Sequence, residues 1–258
     1  MTHEFAVLAA WLHDIGKFAQ RAGAPASAGM EQEYCPVNQG NSSHFHVLYT
    51  DYFIEHELPL PPELEEKRSA LARMASAHHR PDTASREEIA LQRADCLSSG
   101  GDRLEGDAAG NYKTARLESI FSAVRLGEKC LSPQASPLRY RLSALDAADG
   151  APLFPCAEAG KTDSYADLYE DFRAALRKIP LDMGVRHYLH SLASVLERFT
   201  WCIPSSTYHT RADISLYDHA ATTAAITQAL LACPQGEEKF LLCGGDISGI
   251  QKYIFVTE

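Results

Sequence analysis

Apolar residues at Phe5, Leu8, Leu12, Ile15 and Ala19 follow one another at intervals of 3 and 4, the period of a single helix face. The opening of the chain therefore predicts a helix through this stripe. A second helix is predicted over Ser43 to His56, with Ser42 or Ser43 as cap and Phe45, Leu48, Tyr52 and Phe53 turned inward. A third runs from about Pro62 to His79 on Leu64, Leu71, Met74 and Ala75, and Pro81 forces it to stop near Arg80. Ser85 and Glu88 form a capping box that opens a fourth, through Ile89, Ala90 and Leu91 to Asp95 and Leu97.

The middle of the chain is more broken. Asp102 to Gly110 is polar and Gly-rich, the composition of a loop. Leu117, Ile120, Phe121 and Val124 keep helical spacing, Tyr140 to Leu145 is a short strand candidate, and Pro and Gly punctuate Ala147 to Ser164. Two further amphipathic helices are predicted, one on Tyr165, Leu168, Tyr169, Phe172, Leu176 and Ile179, the other on Val185, Tyr188, Leu189, Leu192, Leu196 and Phe199. His187 and His190 flank that last stripe and are expected at the surface. His219 opens a helix of small residues, and Phe240 to Cys243 is strand-like, with Gly244 and Gly245 making a tight turn after it. There is no internal repeat.

A chain of 258 residues can bury one substantial core, and the pattern favours a mainly α domain with an insertion. The seven cysteines are dispersed with no C-x-x-C pair, as expected of reduced thiols in a cytoplasmic protein. No apolar run is long enough for a transmembrane helix, and no basic stretch precedes an apolar run at the start. A formal charge of -10 argues against a free-standing DNA-binding protein, because phosphate contacts draw affinity from Lys and Arg. Arg68, Arg73, Arg80 and Arg86 could line an approach to a candidate site; the ordinary reading, a solvated helix face, is expected of all but Arg80, which stands beside the His78-His79 pair.

The chemistry lies in the polar residues set among these stripes. His13 and Asp14 fall at the edge of the first buried face; a carboxylate has two oxygens with which to bridge two cations, and a neutral imidazole offers one nitrogen. Lys17 follows one turn later. His44 and His46 open the second helix, and His46 is the deeper and better ligand candidate of the two. His78 and His79 close the third helix, where they would interact favourably with its dipole even without metal. Asp95 stands among Ala94, Cys96 and Leu97, where a carboxylate needs a partner.

The series His13-Asp14, His46, His78-His79 and Asp95 resembles the HD superfamily of metal-dependent phosphohydrolases. In that pattern a further His precedes the His-Asp pair. Here the candidate stands downstream, His219 in the phrase DISLYDH (Asp213 to His219), the arrangement of a circularly permuted HD domain. LSSGGDR (Leu97 to Arg103), the run from Phe199-Thr200-Trp201 through Pro204-Ser205-Ser206-Thr207-Tyr208, and Gly245-Asp246-Ile247-Ser248-Gly249-Ile250-Gln251 with Tyr253-Ile254-Phe255 extend the likeness. Together they resemble the large subunit of type III-A CRISPR effector complexes.

That resemblance implies a permuted HD-domain helical bundle over residues 1–235, with its core at 1–100 and 206–235 and a loop-rich mixed insertion at 101–205. Residues 236–258 would begin a truncated palm of ferredoxin-like type. It implies His13, Asp14, His78, His79, Asp95 and His219 as metal ligands, with His46, and Lys17 near the scissile phosphate; Asp14, Lys17 and His13 would be the catalytic group. One ion would sit among His13, Asp14, Asp95 and His219 and the other among Asp14, His46, His78 and His79. Mixed imidazole and carboxylate ligation suits manganese, or nickel, cobalt or iron, better than magnesium. The implied activity is cleavage of single-stranded DNA in antiviral defence, within a cytoplasmic complex of guide RNA, target RNA and other Csm subunits, among them the small subunit and the guide-end subunit, with no membrane. Cyclic oligoadenylate synthesis is not expected, because Gly244-Gly245-Asp246-Ile247 is not the Gly-Gly-Asp-Asp motif it requires. Two other readings stay open: an HD phosphohydrolase of small nucleotides, and an idle HD module that docks other subunits.

Overall fold

The computed structural model describes residues 3–38, 40–102, 111–123, 137–146, 153–157, 159, 163–207, 210–234, 236–245 and 248. Among them the chain is mainly α, as expected, with one two-stranded ribbon of β1 (Val37–Asn38) and β2 (Asn41–Ser42) paired antiparallel.

The first predicted helix is two. α1 (His3–Leu12) and α2 (Gly16–Ala22) share the stripe Phe5, Leu8, Leu12, Ile15 and Ala19, all buried, but His13 to Ile15 form a turn between them. The break has a side-chain cause. Thr50 Oγ1 accepts from Gly16 N at 3.1 Å and donates to His13 O at 2.9 Å, taking over backbone groups at the joint. After α3 (Glu31–Tyr34) and the ribbon, α4 (His46–His56) starts later than predicted. Ser43 donates to Pro36 O instead of capping the helix, His44 stands at φ 60°, and Phe45 is exposed. Its inner face is Val47, Leu48, Phe53 and Ile54, with Tyr52 only partly covered.

The third predicted helix divides into α5 (Pro62–Glu65), α6 (Arg68–Ser76) and a 3-10 turn at Ala77–His79. Leu64, Leu71, Met74 and Ala75 are buried as expected. α7 (Arg86–Asp102) opens on half a capping box: Glu88 N donates to Ser85 Oγ at 3.2 Å, while the Glu88 carboxylate accepts from Asp82 N at 2.7 Å.

The insertion differs most from expectation. A 3-10 turn at Ile120–Ala123 replaces the predicted helix, with Ile120 and Phe121 exposed; Val124 and most of Asp102 to Gly110 lie outside the described residues. Tyr140 to Leu145 forms no strand, and isolated bridges join Arg139 to Glu118 and to Cys156. The two later helices stand as predicted, α8 (Tyr165–Leu176) capped by Ser164 and α9 (Val185–Thr200) with His187 and His190 exposed. Phe172 of α8 ties the layers together. Its ring meets Phe18 of α2 at 5.6 Å, Phe53 of α4 at 5.8 Å and Phe199 of α9 at 5.9 Å.

α10 (Leu216–Ala232), capped by Ser215, packs against both α1 and α7. Arg86 holds its far end by donating to Leu231 O and Cys233 O. This packing brings His219 beside His13, from opposite ends of the sequence. Phe240 to Cys243 forms no strand and finds none to join among the described residues; Phe240, Leu241 and Leu242 are exposed. The motif residues Asp246, Ile247, Gly249 to Gln251 and Tyr253 to Phe255, like Tyr208, lie outside the described residues. Every described cysteine is free. No helix of the described residues is long and apolar enough to cross a membrane.

Candidate metal centre

The turn between α1 and α2 sets the geometry. It places the Asp14 carboxylate, 2% exposed, where α4, the 3-10 turn, α7 and α10 converge. Its two oxygens face different ways. Oδ1 lies 3.0 Å from His46 Nε2 and 3.8 Å from His78 Nε2. Oδ2 lies 2.5 Å from Lys17 Nζ, 3.3 Å from His219 Nε2 and 3.5 Å from His13 Nε2.

Two donor groups result, each with its candidate ligand atoms within 4.8 Å of one another: His46, His78 and His79, and His13, Asp14, Asp95 and His219. Either could hold a metal ion. Asp95 Oδ1 reaches His219 Nε2 at 3.1 Å and His13 Nε2 at 3.6 Å. All seven residues named from the sequence therefore come together. His44 lies just outside, its ring 4.1 Å from that of His79 and its Nδ1 2.8 Å from Ser43 Oγ.

The outer shell fixes which nitrogens face inward. His13 Nδ1 meets Ala10 O and His78 Nδ1 meets Ala75 O, both at 2.7 Å. A carbonyl only accepts, so both Nδ1 atoms carry hydrogen and each ring turns Nε2 toward the centre. Ser98 Oγ on α7 stands 3.0 Å from His219 Nδ1. At the centre itself the usual satisfaction fails: Asp14 Oδ1 and the Nε2 atoms of His46, His78 and His79 are buried and make no hydrogen bond. The 3.0 Å approach of His46 to Asp14 lacks the alignment of one. Four orphaned electron-donor positions around one point are costly in a dry interior, and a cation is the partner that such a set of donors fits.

The charges agree. Burial pushes Asp14 upward, but Lys17, His13 and the approaches of His219 and His46 outweigh it and hold the carboxyl well below its usual range. Asp95 is likewise raised by burial and lowered further by His13 and His219. Burial drives His46 and His79 down and pushes His78 to about 3, so these rings are neutral at physiological pH.

Two residues of this centre have no part in the sequence pattern of ligands. Thr50 ties the turn to α4, and Gly16 lets the two backbones touch: a Cβ on Gly16 would stand 2.0 Å from His46 O and 2.5 Å from Thr50 N. A glycine directly after a buried His-Asp-Ile was the signal that could have found it. The arginines also sort differently from expectation. Arg68 donates to Leu58 O and Glu65, Arg73 pairs with Glu33, Arg86 caps α10, and Arg80 donates to the carbonyls of Gln32 and Cys35. All four serve structure. A cleft of about 590 Å³ opens over the centre, and its basic residues are Lys17, Arg21 and Arg211.

No protein-family model matches the chain. A search of curated proteins finds the "CRISPR system single-strand-specific deoxyribonuclease Cas10/Csm1 (subtype III-A)" of Methanocaldococcus jannaschii, 26% identical over 96% of this chain and 34% of that protein. The two are homologous. The chain thus spans about a third of the Cas10/Csm1 relative. Solved Csm1 structures share the fold: the Csm1-Csm4 subcomplex of a type III-A CRISPR-Csm interference complex (TM-score 0.56, 20% identity, 91% of this chain and 29% of that one), Csm1 of T. onnurineus (0.54, 22%, 90% and 29%) and a Csm1-Csm4 cassette with cA4 (0.54, 20%, 91% and 29%). The mainly helical architecture expected from the sequence is therefore that of the matching part of Csm1.

Replacing Gly16 by Ala should cost about 1–3 kcal/mol or more of unfolding free energy in urea, because the new methyl meets backbone that cannot turn aside; an unchanged midpoint would contradict the close packing. The histidines give a second expectation, for metal-free protein. Above the ordinary value of 6.5, His78 is neutral in both folded and unfolded chains; below it, the unfolded chain binds a proton that the folded one refuses until about 3. His46 and His79 act in the same direction, and the two depressed carboxylates add to it at lower pH. The urea midpoint with EDTA should therefore fall steadily from pH 7 to pH 4, and a flat profile would show these rings to be protonated or exposed.

Proposed function

We propose that this chain is a metal-dependent phosphodiesterase that cuts single-stranded DNA, the nuclease portion of a type III-A CRISPR large subunit. The observation that carries the reading is the Asp14 carboxylate with one oxygen turned to each donor group, amid buried imidazole nitrogens that lack hydrogen bonds. The name of the Methanocaldococcus relative supports the substrate and the setting.

In this reading His13, Asp14, Asp95 and His219 would hold one divalent ion and Asp14, His46, His78 and His79 the other. The five imidazoles and two carboxylates of these groups favour manganese, with nickel, cobalt or iron as alternatives, over an all-oxygen magnesium site. When bound, such ions make a water molecule acidic near neutral pH and polarise a phosphate oxygen. The protein's own contribution is preorganisation. Backbone carbonyls keep His13 and His78 in the ligating tautomer, and Asp14 is ionised before any ion arrives. Lys17, a quarter exposed, stands between Asp14 and the cleft, where its ammonium can meet charge that develops on the phosphate. The partners that follow are single-stranded DNA and, through the complex, guide RNA, target RNA and other Csm subunits.

The test is cleavage of a labelled single-stranded DNA oligonucleotide with manganese or EDTA, for wild type beside the His13→Ala, Asp14→Ala double variant. Manganese-dependent cutting that falls to background in EDTA and in the variant is expected. Phosphate release from mononucleotides without oligonucleotide cutting would replace this reading with a small-nucleotide hydrolase. A protein that binds other Csm subunits unchanged but cuts nothing would leave a docking module.

A further inference from the structure

Arg21 is the cation of the cleft that pairs with no carboxylate among the described residues. Its guanidinium lies 5.7 Å from the centroid of the Tyr165 ring, donates to Pro204 O at 2.7 Å and also meets the Tyr165 hydroxyl. Arg211, on the same cleft, is by contrast bound to Glu118 and near Asp213, and Lys17 is bound to Asp14. A guanidinium has five N–H donors, more than one carbonyl and one phenol oxygen can take up.

Its position on α2 adds the second argument. Arg21 follows Lys17 by four residues, so the two stand on one helix face about one turn apart, and both line the cleft over the donor groups together with Gln20. A turn of helix is a spacing of the order of that between successive phosphates on an extended strand. The Tyr165 side chain and the Pro204 carbonyl hold the guanidinium in place, so little rotamer freedom is lost when an anion arrives.

We infer that Arg21 is the binding residue for a phosphate one linkage away from the scissile one, a subsite that selects a polynucleotide strand over a mononucleotide. This deepens the nuclease reading and rests on it for the identity of the strand. Arg21 acts by positioning the substrate, and its side chain takes no part in bond cleavage.

The experiment measures binding, which is independent of cutting. A short fluorescein-labelled oligothymidylate is titrated by anisotropy against this chain in EDTA at several salt concentrations, for wild type, Arg21→Gln and Arg21→Lys. Arg21→Gln is expected to weaken binding about tenfold, the worth of one charged hydrogen-bonding contact, and to lower the salt slope by about 0.7, the value for one single-strand phosphate. Arg21→Lys keeps the charge and should keep most of the slope. Because Arg21→Gln could also disturb the fold through Pro204, the charge is removed from the ligand as well. Scanning neutral methylphosphonate linkages along the strand should weaken wild type and leave Arg21→Gln without a further loss at the corresponding linkage. Equal affinity and slope for wild type and Arg21→Gln, or a wild type indifferent to every methylphosphonate, would overturn the subsite. Normal cutting with that result would sink the subsite alone, whereas the binding pattern without any cutting would support the subsite and sink the nuclease reading.

Discussion

Burying a carboxylate as deeply as Asp14 is costs several kcal/mol unless cations or donors surround it, and much of the fold is arranged around that requirement. Lys17 reaches it from α2, His46 from the start of α4, His78 from a 3-10 turn, and His13 and His219 from α1 and α10. Only one of its oxygens is satisfied. Oδ1 and three imidazole nitrogens remain without hydrogen bonds, so the apoprotein carries an internal polar site whose favourable partner is a positive ion. The same feature makes the centre a source of instability unless a cation fills it.

The site's supporting structure follows from the same need. The turn at 13–15 exists because Thr50 supplies the hydrogen bonds that a continuous helix would have made, and Gly16 permits the contact. α10 must lie across α1 and α7 for His219 to arrive, and Ser215 at one end and Arg86 at the other fix it there. The aromatic cluster around Phe172 then supports α2 and α4 from behind, holding the two sides of the turn in register.

The candidate residues were legible in the sequence as a series of histidines and acids beside apolar stripes, read together through the family resemblance, and all seven named residues meet at the centre. Helix existence was legible for the same reason, since a long apolar period overrides local detail. Helix ends were not. The breaks at His13, Phe45 and Ser76 depend on tertiary contacts, from Thr50, from Pro36 and from the packing of the histidine rings, which no periodicity encodes. The insertion was misread because Ile120 and Phe121 keep helical spacing yet are exposed, and a spacing argument assumes burial. Arg21 was passed over because an unpaired charge is a property of the folded surroundings, and the four arginines named instead were spent on backbone carbonyls and acids.

The account turns on Asp14 serving two donor groups at once, and the most direct measurement is anomalous diffraction from crystals of this chain soaked in manganese. Two peaks are expected, one among His13, Asp95 and His219 and one among His46, His78 and His79, with Asp14 between them. No peak at either group, with manganese bound elsewhere on the acidic surface, would contradict it.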